Sequence, residues 1–132
     1  MNTKDKGDIS EAEVTTALLR KGWSVSTPVG DNDRYDLIAD TGQELIRVQV
    51  KTAHWENGKI VFNTSSVVSK SGGQTMQEYT SDEIEVFAAY SERTNEIYWV
   101  PVDECGSSTK SLRVEEAKKA SPKINWAEDY LL

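Results

Sequence analysis

Asp36, Gln49 and Lys51 are the residues whose types and spacing could do chemistry together. The chain reads Tyr35-Asp36-Leu37-Ile38-Ala39-Asp40, a turn, then Glu44-Leu45-Ile46-Arg47-Val48-Gln49-Val50-Lys51. In the second run Ile46, Val48 and Val50 alternate with Arg47, Gln49 and Lys51. Side chains alternate faces along a strand, so Gln49 and Lys51 point the same way. An acid, an amide and an ammonium on one sheet surface can hold a metal ion and a phosphate. Phosphodiester hydrolysis needs a nucleophilic water, charge relief on the phosphorus oxygens and help for the leaving oxygen, and a divalent metal contributes to all three. Magnesium takes oxygen ligands and keeps several waters. Asp36 is then the best metal ligand, with the Gln49 carbonyl or the Val50 backbone carbonyl as a second. Lys51 would hold the scissile phosphate or orient the attacking water. Glu11 shares a helical stripe with Val14 and Leu18, at i, i+3 and i+7, and leans toward the sheet from the rim of the core.

The elements that must position these groups follow from periodicity and turn chemistry. Asp8 to Lys21 predicts a helix, with a broad stripe of Ile9, Ala12, Val14, Ala17, Leu18 and Leu19. Asp8 or Ser10 caps it, and Gly22 follows its end. Trp23 to Thr27 predicts a short strand, and Pro28 to Arg34 a loop in which Asp31 and Asp33 are turn formers. Strands are expected over Tyr35–Ala39, Glu44–Thr52 and Lys59–Asn63, joined by Asp40-Thr41-Gly42-Gln43 and by Glu56-Asn57-Gly58 as hairpin signals. Thr64 to Thr80 is polar and reads as a long loop or a weak helix. Glu83–Tyr90 and Glu96–Pro101 predict a further strand pair, followed by a short helix at 101–104, an edge strand over Ser111–Val114 and helical turns over Glu115–Ala120. Trp126 to Leu132 is acidic and aromatic and should pack down through Trp126, Tyr130 and Leu131. The expected fold is one α/β or α+β domain on a mixed sheet.

Composition narrows the function classes. The 132 residues suit a single domain with a modest core. Fifteen Lys and Arg against 22 Asp and Glu give a net charge of −7, which counts against an indiscriminate nucleic-acid coat. A nuclease needs its basic residues only on one face. The lone Cys105 cannot form an intrachain disulfide, no apolar run reaches membrane-spanning length, and the first residues lack a signal-peptide core. These features predict an intracellular, cytoplasmic protein with no membrane partner.

Gly7-Asp8-Ile9-Ser10-Glu11, Val29-Gly30-Asp31-Asn32-Asp33-Arg34-Tyr35-Asp36-Leu37 and Arg47-Val48-Gln49-Val50-Lys51-Thr52 together resemble the PD-(D/E)XK nuclease superfamily, closest to its group I intron-associated homing endonuclease branch. The resemblance extends through Phe62-Asn63-Thr64, Tyr79-Thr80 and the strand pair at 84–101 to Trp126-Ala127-Glu128-Asp129-Tyr130. It implies a restriction-endonuclease-like α-βββ-α-β core, a mixed sheet flanked by helices. It implies a metal-binding site of Glu11, Asp36, Gln49 and Lys51, with the Val50 carbonyl as a further ligand. It also implies a magnesium-dependent DNA endonuclease, manganese being a possible substitute, that leaves 5′-phosphate and 3′-hydroxyl ends. The usual second acid is Gln49 here and the residue before Asp36 is Tyr35 instead of Pro. The homing branch looks similar in using Gln. A neutral Gln removes one negative charge, so metal affinity should be weaker without DNA phosphate present.

Each residue also has a plainer reading. Glu11 could close a capping box begun at Asp8. Asp36 could be a solvated strand-end acid, and Gln49 and Lys51 the wet face of an antiparallel strand. His54 is expected at the strand's end or in a loop, outside the chemistry. Arg34, Lys59 and Lys70 flank the proposed site along the chain, and Asn63, Thr64 and Gln74 could donate to phosphates or base edges. Double-stranded or branched DNA is the expected partner. A dimer or tetramer is expected, because a domain this small offers little surface and two copies are needed to cut both strands. Two rival readings stand beside the homing endonuclease: a Holliday-junction resolvase of the same superfamily, and a non-catalytic DNA-binding or protein-interaction domain that keeps the fold.

Overall fold

Asn2 starts the first element. Its side chain accepts a hydrogen bond from Asp5 N at 2.9 Å and caps a helix α1 over Thr3–Arg20. The computed structural model describes residues 1–70 (67–70 by backbone alone), 72–117 and 124–132. The helix starts five residues before the Asp8 expected from sequence. Gly7 lies inside it, where an Asn cap upstream offsets a cost of about 1 kcal/mol. Glu11 therefore stands in mid-helix and closes no capping box. Val14 and Leu18 are fully buried, and the chain leaves the helix through Gly22 at φ +85°.

The strands are β1 (Ser24–Ser26), β2 (Leu37–Asp40), β3 (Leu45–Glu56), β4 (Lys59–Asn63), β5 (Ser65–Lys70), β6 (Gly73–Glu78), β7 (Val86–Ser91), β8 (Glu96–Pro101) and β9 (Thr109–Arg113). β3 is the hub. It pairs antiparallel with β2 through Leu45–Val48, antiparallel with β4 through His54–Glu56, and parallel with β7 through Val48–Ala53. β7 and β8 form the expected hairpin, and β9 pairs with β4 along the whole of that strand. Asn57 and Gly58 both take positive φ, 49° and 80°, as a two-residue hairpin turn between β3 and β4 requires. Arg47 pins β3 to the entry of β7, pairing with Glu85 through its guanidinium and donating its main-chain N–H to Glu85 Oε1 at 2.7 Å.

Apolar side chains line both faces of β3 and β7. Val14 and Leu18 pack on Leu37, Ala39, Val48 and Val50 on one face. On the other, Ile60, Phe62 and Leu112 cover Ala53, Phe87, Ala89 and Val100. All six residues of β7 are buried, as a parallel central strand should be. Phe87, 1% exposed, meets the rings of Phe62 at 5.9 Å and Tyr79 at 5.4 Å. Phe87→Ala should therefore cost about 3–5 kcal/mol of stability by urea unfolding. A loss below about 1 kcal/mol would mean that this face carries little of the core.

The expected mixed α+β architecture is present, with three differences in detail. The stretch expected as a loop or weak helix is the antiparallel pair β5–β6, in which all of β6 is exposed. The β-branched Val67, Val68 and Thr75 suit paired strands, and the polarity of β6 leaves that strand outside the core. Among the described residues α1 is the only α-helix, so the second helix of an α-βββ-α-β core is replaced between β3 and β7 by strands. No helix forms over 115–117, and residues 118–120 of that expectation lie outside the described residues. The chain closes with 3₁₀ turns at Val102–Glu104 and Ala127–Tyr130. Near the second of these, the Tyr98–Leu131 bridge ties the end of the chain to β8. Ala127 is buried while Leu131 remains exposed.

Candidate active site

Between its pairing with β2, which ends at Val48, and its pairing with β4, which begins at His54, β3 has β7 as its only strand partner among the described residues. The Arg47 carbonyl accepts from Glu85 N at 3.0 Å, so the main-chain groups of Arg47 face β7. Those of Val48 and Val50 face the other edge. There Asp36 N donates to Val48 O at 2.8 Å, and Val50 N donates to Asp36 Oδ2 at 2.9 Å. The Asp36 carboxylate thus takes the place of a missing strand. A strand residue's N–H and C=O share an edge, so the Val50 carbonyl opens beside that carboxylate.

Lys51 projects from the face it shares with Gln49. Its Nζ lies 3.4 Å from Ser65 O, at the start of β5, and 5.0 Å from the centre of the Tyr79 ring. Gln49 is half-buried opposite Phe87 of β7. Glu11 on α1 is half-buried like Asp36 and lies near enough to feel its charge. Ser10, 1% exposed, fixes the helix there through a 2.7 Å hydrogen bond between its hydroxyl and that of Thr52.

The titration of these groups records their crowding. Burial raises the Asp36 pKa, against the Val50 N–H and the Lys51 charge, which lower it. Burial raises that of Glu11, and the Asp36 and Asp8 charges raise it further. Burial lowers that of Lys51, opposed by Asp36 and reinforced by Arg34. Two half-buried carboxylates, Asp36 and Glu11, thus lie close enough for the charge of the first to oppose ionisation of the second. Among the described residues no three His, Cys, Asp or Glu gather as a ligand cluster.

The residues expected on DNA are dispersed. Arg34 is committed within the protein: its Nη1 donates to Ser66 Oγ at 2.8 Å, its Nη2 to Glu78 O at 2.7 Å, and its Nε lies 3.0 Å from Glu83 Oε2. Thr64, expected on DNA, is 1% exposed and donates its hydroxyl to Gly106 O at 2.8 Å. A buried, satisfied hydroxyl is not available to a phosphate. Lys59 sits opposite Glu56 near the hairpin tip, about 17 Å along β3 from Lys51. Asn63 and Gln74 are exposed. The Lys70 side chain lies outside the described residues. His54 is exposed and faces Glu56 at 3.4 Å, away from the site. Tyr79 is a contact of Lys51 and Arg34; its sequence signals are its place at the close of a polar stretch and the Tyr79-Thr80 pair in the family resemblance.

The family model described as PD-(D/E)XK endonuclease matches residues 1–132. The chain belongs to that family. A solved structure of a bacterial homing endonuclease, I-Ssp6803I, is similar at a TM-score of 0.80 and 29% identity, covering 99% of this chain and 89% of that one. No curated protein matches the chain. PD-(D/E)XK nucleases generally use divalent metal ions, and a nuclease of this family implies a DNA substrate. Among the described residues no helix is long and apolar enough to cross a membrane.

Proposed function

We propose that this member of the PD-(D/E)XK family is a magnesium-dependent DNA endonuclease of the homing type, with its site built on Glu11, Asp36, Gln49, the Val50 carbonyl and Lys51. The observation that carries the reading is the open edge of β3, where Asp36 receives the Val50 N–H with Glu11 and Lys51 around it. Asp36, Gln49 and the Val50 carbonyl would hold the ion, and Glu11 would complete its surroundings. When bound, the ion lowers the pKa of a water and relieves charge on the phosphate. Lys51 binds a non-bridging phosphate oxygen and stabilises the charge that grows there. Glu11 and Asp36 orient water. Manganese should substitute for magnesium, since both take hard oxygen ligands. Two copies in a homo-oligomer would place one such site at each strand.

Purified protein with magnesium should cut linear duplex carrying its target, and a four-way junction no faster than a duplex of the same sequence. Faster cutting of the junction would select the resolvase reading. Absence of cleavage on every form would select a non-catalytic domain. Binding, measured in calcium so that DNA stays uncut, should be steeply salt-dependent despite the charge of −7. Each neutralised phosphate contributes about −0.9 to the slope of log K against log salt, so several contacts should give about −3 or steeper. A slope near zero would mean that no basic face engages the backbone.

A further inference from the structure

We propose that Tyr79 is a positioning residue for Lys51, its ring face holding the lysine ammonium where the scissile phosphate must arrive. The inference rests on the nuclease reading and adds to it a residue outside the metal-binding set. Tyr79 follows β6 directly, and its ring packs edge-on against Phe87 at 5.4 Å, so the core fixes its plane. Two cations use that one ring: the Arg34 guanidinium lies 4.0 Å from its centre and the Lys51 ammonium 5.0 Å. Arg34 is held by Ser66, Glu78 and Glu83. Lys51 by contrast has a flexible four-carbon stem and one long hydrogen bond, 3.4 Å, to Ser65 O. The electron-rich ring attracts both cations and offsets their mutual repulsion.

The test compares Tyr79→Leu with Tyr79→Phe. The first removes the ring; the second keeps it and loses only the hydroxyl. Under single-turnover conditions at saturating DNA and magnesium, Tyr79→Leu should cleave about tenfold more slowly than the parent, the scale of a partly desolvated cation–π contact. DNA affinity in calcium should stay within about threefold of the parent, because the ring carries no charge to a phosphate. Tyr79→Phe should recover most of the lost rate. A proton spectrum of the lysine-labelled protein, without metal or DNA, should show the Lys51 ε-methylene shifted upfield by the ring. The shift should persist in Tyr79→Phe and vanish in Tyr79→Leu.

A parental rate in Tyr79→Leu overturns the proposal. So does a Tyr79→Phe rate as low as that of Tyr79→Leu, which would move the role to the hydroxyl. So does affinity falling in step with rate, which would make Tyr79 a DNA contact. An unshifted ε-methylene in the parent overturns it even if Tyr79→Leu does not fold. If the parent cuts no DNA, the nuclease reading fails on that result, and the spectrum alone decides the placement of Lys51.

Discussion

Lys51→Ala should lower the single-turnover cleavage rate at saturating magnesium by roughly a hundredfold or more, while the protein stays folded and keeps most of its affinity for DNA. Lys51 offers the half-buried ammonium at the open edge of β3, and removing it takes positive charge from the place where phosphate charge grows. Binding should suffer much less, since one phosphate contact of several changes the salt slope by only about 0.9. Stability should change little, because a buried cation costs desolvation that its removal relieves. With the Lys51 pKa lowered by burial, the parental rate should fall on the alkaline side before pH reaches the ordinary lysine value of about 10.4. Cleavage by Lys51→Ala at the parental rate would remove Lys51 from the site and most of the mechanism with it.

Asp36→Asn should abolish metal binding and cleavage together and should make the metal-free protein more stable at neutral pH. The sign follows from the raised Asp36 pKa. The folded chain holds this proton more tightly than the unfolded chain, so stability is lost as pH rises from the ordinary aspartate range through the folded value. Asn does not ionise, yet its side-chain oxygen can still accept the Val50 N–H. The melting temperature of the variant should therefore exceed that of the parent at neutral pH without metal. The difference should close as pH falls below about 3.9, where aspartate is protonated in the unfolded chain too. Magnesium should raise the parental melting temperature and leave that of the variant unchanged, since only a bound ligand stabilises the folded state. A variant that melts lower at neutral pH, or binds magnesium calorimetrically as tightly as the parent in the presence of DNA, would contradict the role given to Asp36.

The strand that carries Gln49 and Lys51 was readable because its alternation is strict: Ile46, Val48 and Val50 enter the core beneath α1. It runs on to Glu56 because Ala53 and Trp55 continue the inward positions on the opposite face, a change of face that one-sided alternation hides. The early start of α1 was obscured by Gly7 and by a run of charges, although Asn2 was available as a cap. The pair β5–β6 carries too little apolar surface to announce itself, and nothing local shows that both of its ends meet the site. Thr64 reads as a polar surface residue and is buried, its hydroxyl donating to Gly106 O, 42 residues away. Arg34 looked like a phosphate ligand and is occupied by partners at Ser66, Glu78 and Glu83. Local pattern thus carried the strand of Gln49 and Lys51, whereas the partners of Lys51 and Arg34 are fixed by chain closure over long separations.

Incubation of the purified protein with supercoiled plasmid carrying its target, in magnesium and in excess chelator, tests the central claim most directly. The account predicts nicked and linear product in magnesium, none in chelator, none from Asp36→Asn, and product from Lys51→Ala formed slower by roughly a hundredfold or more. Product that persists in chelator, or that both variants form at the parental rate, would contradict a metal-dependent site at the open edge of β3.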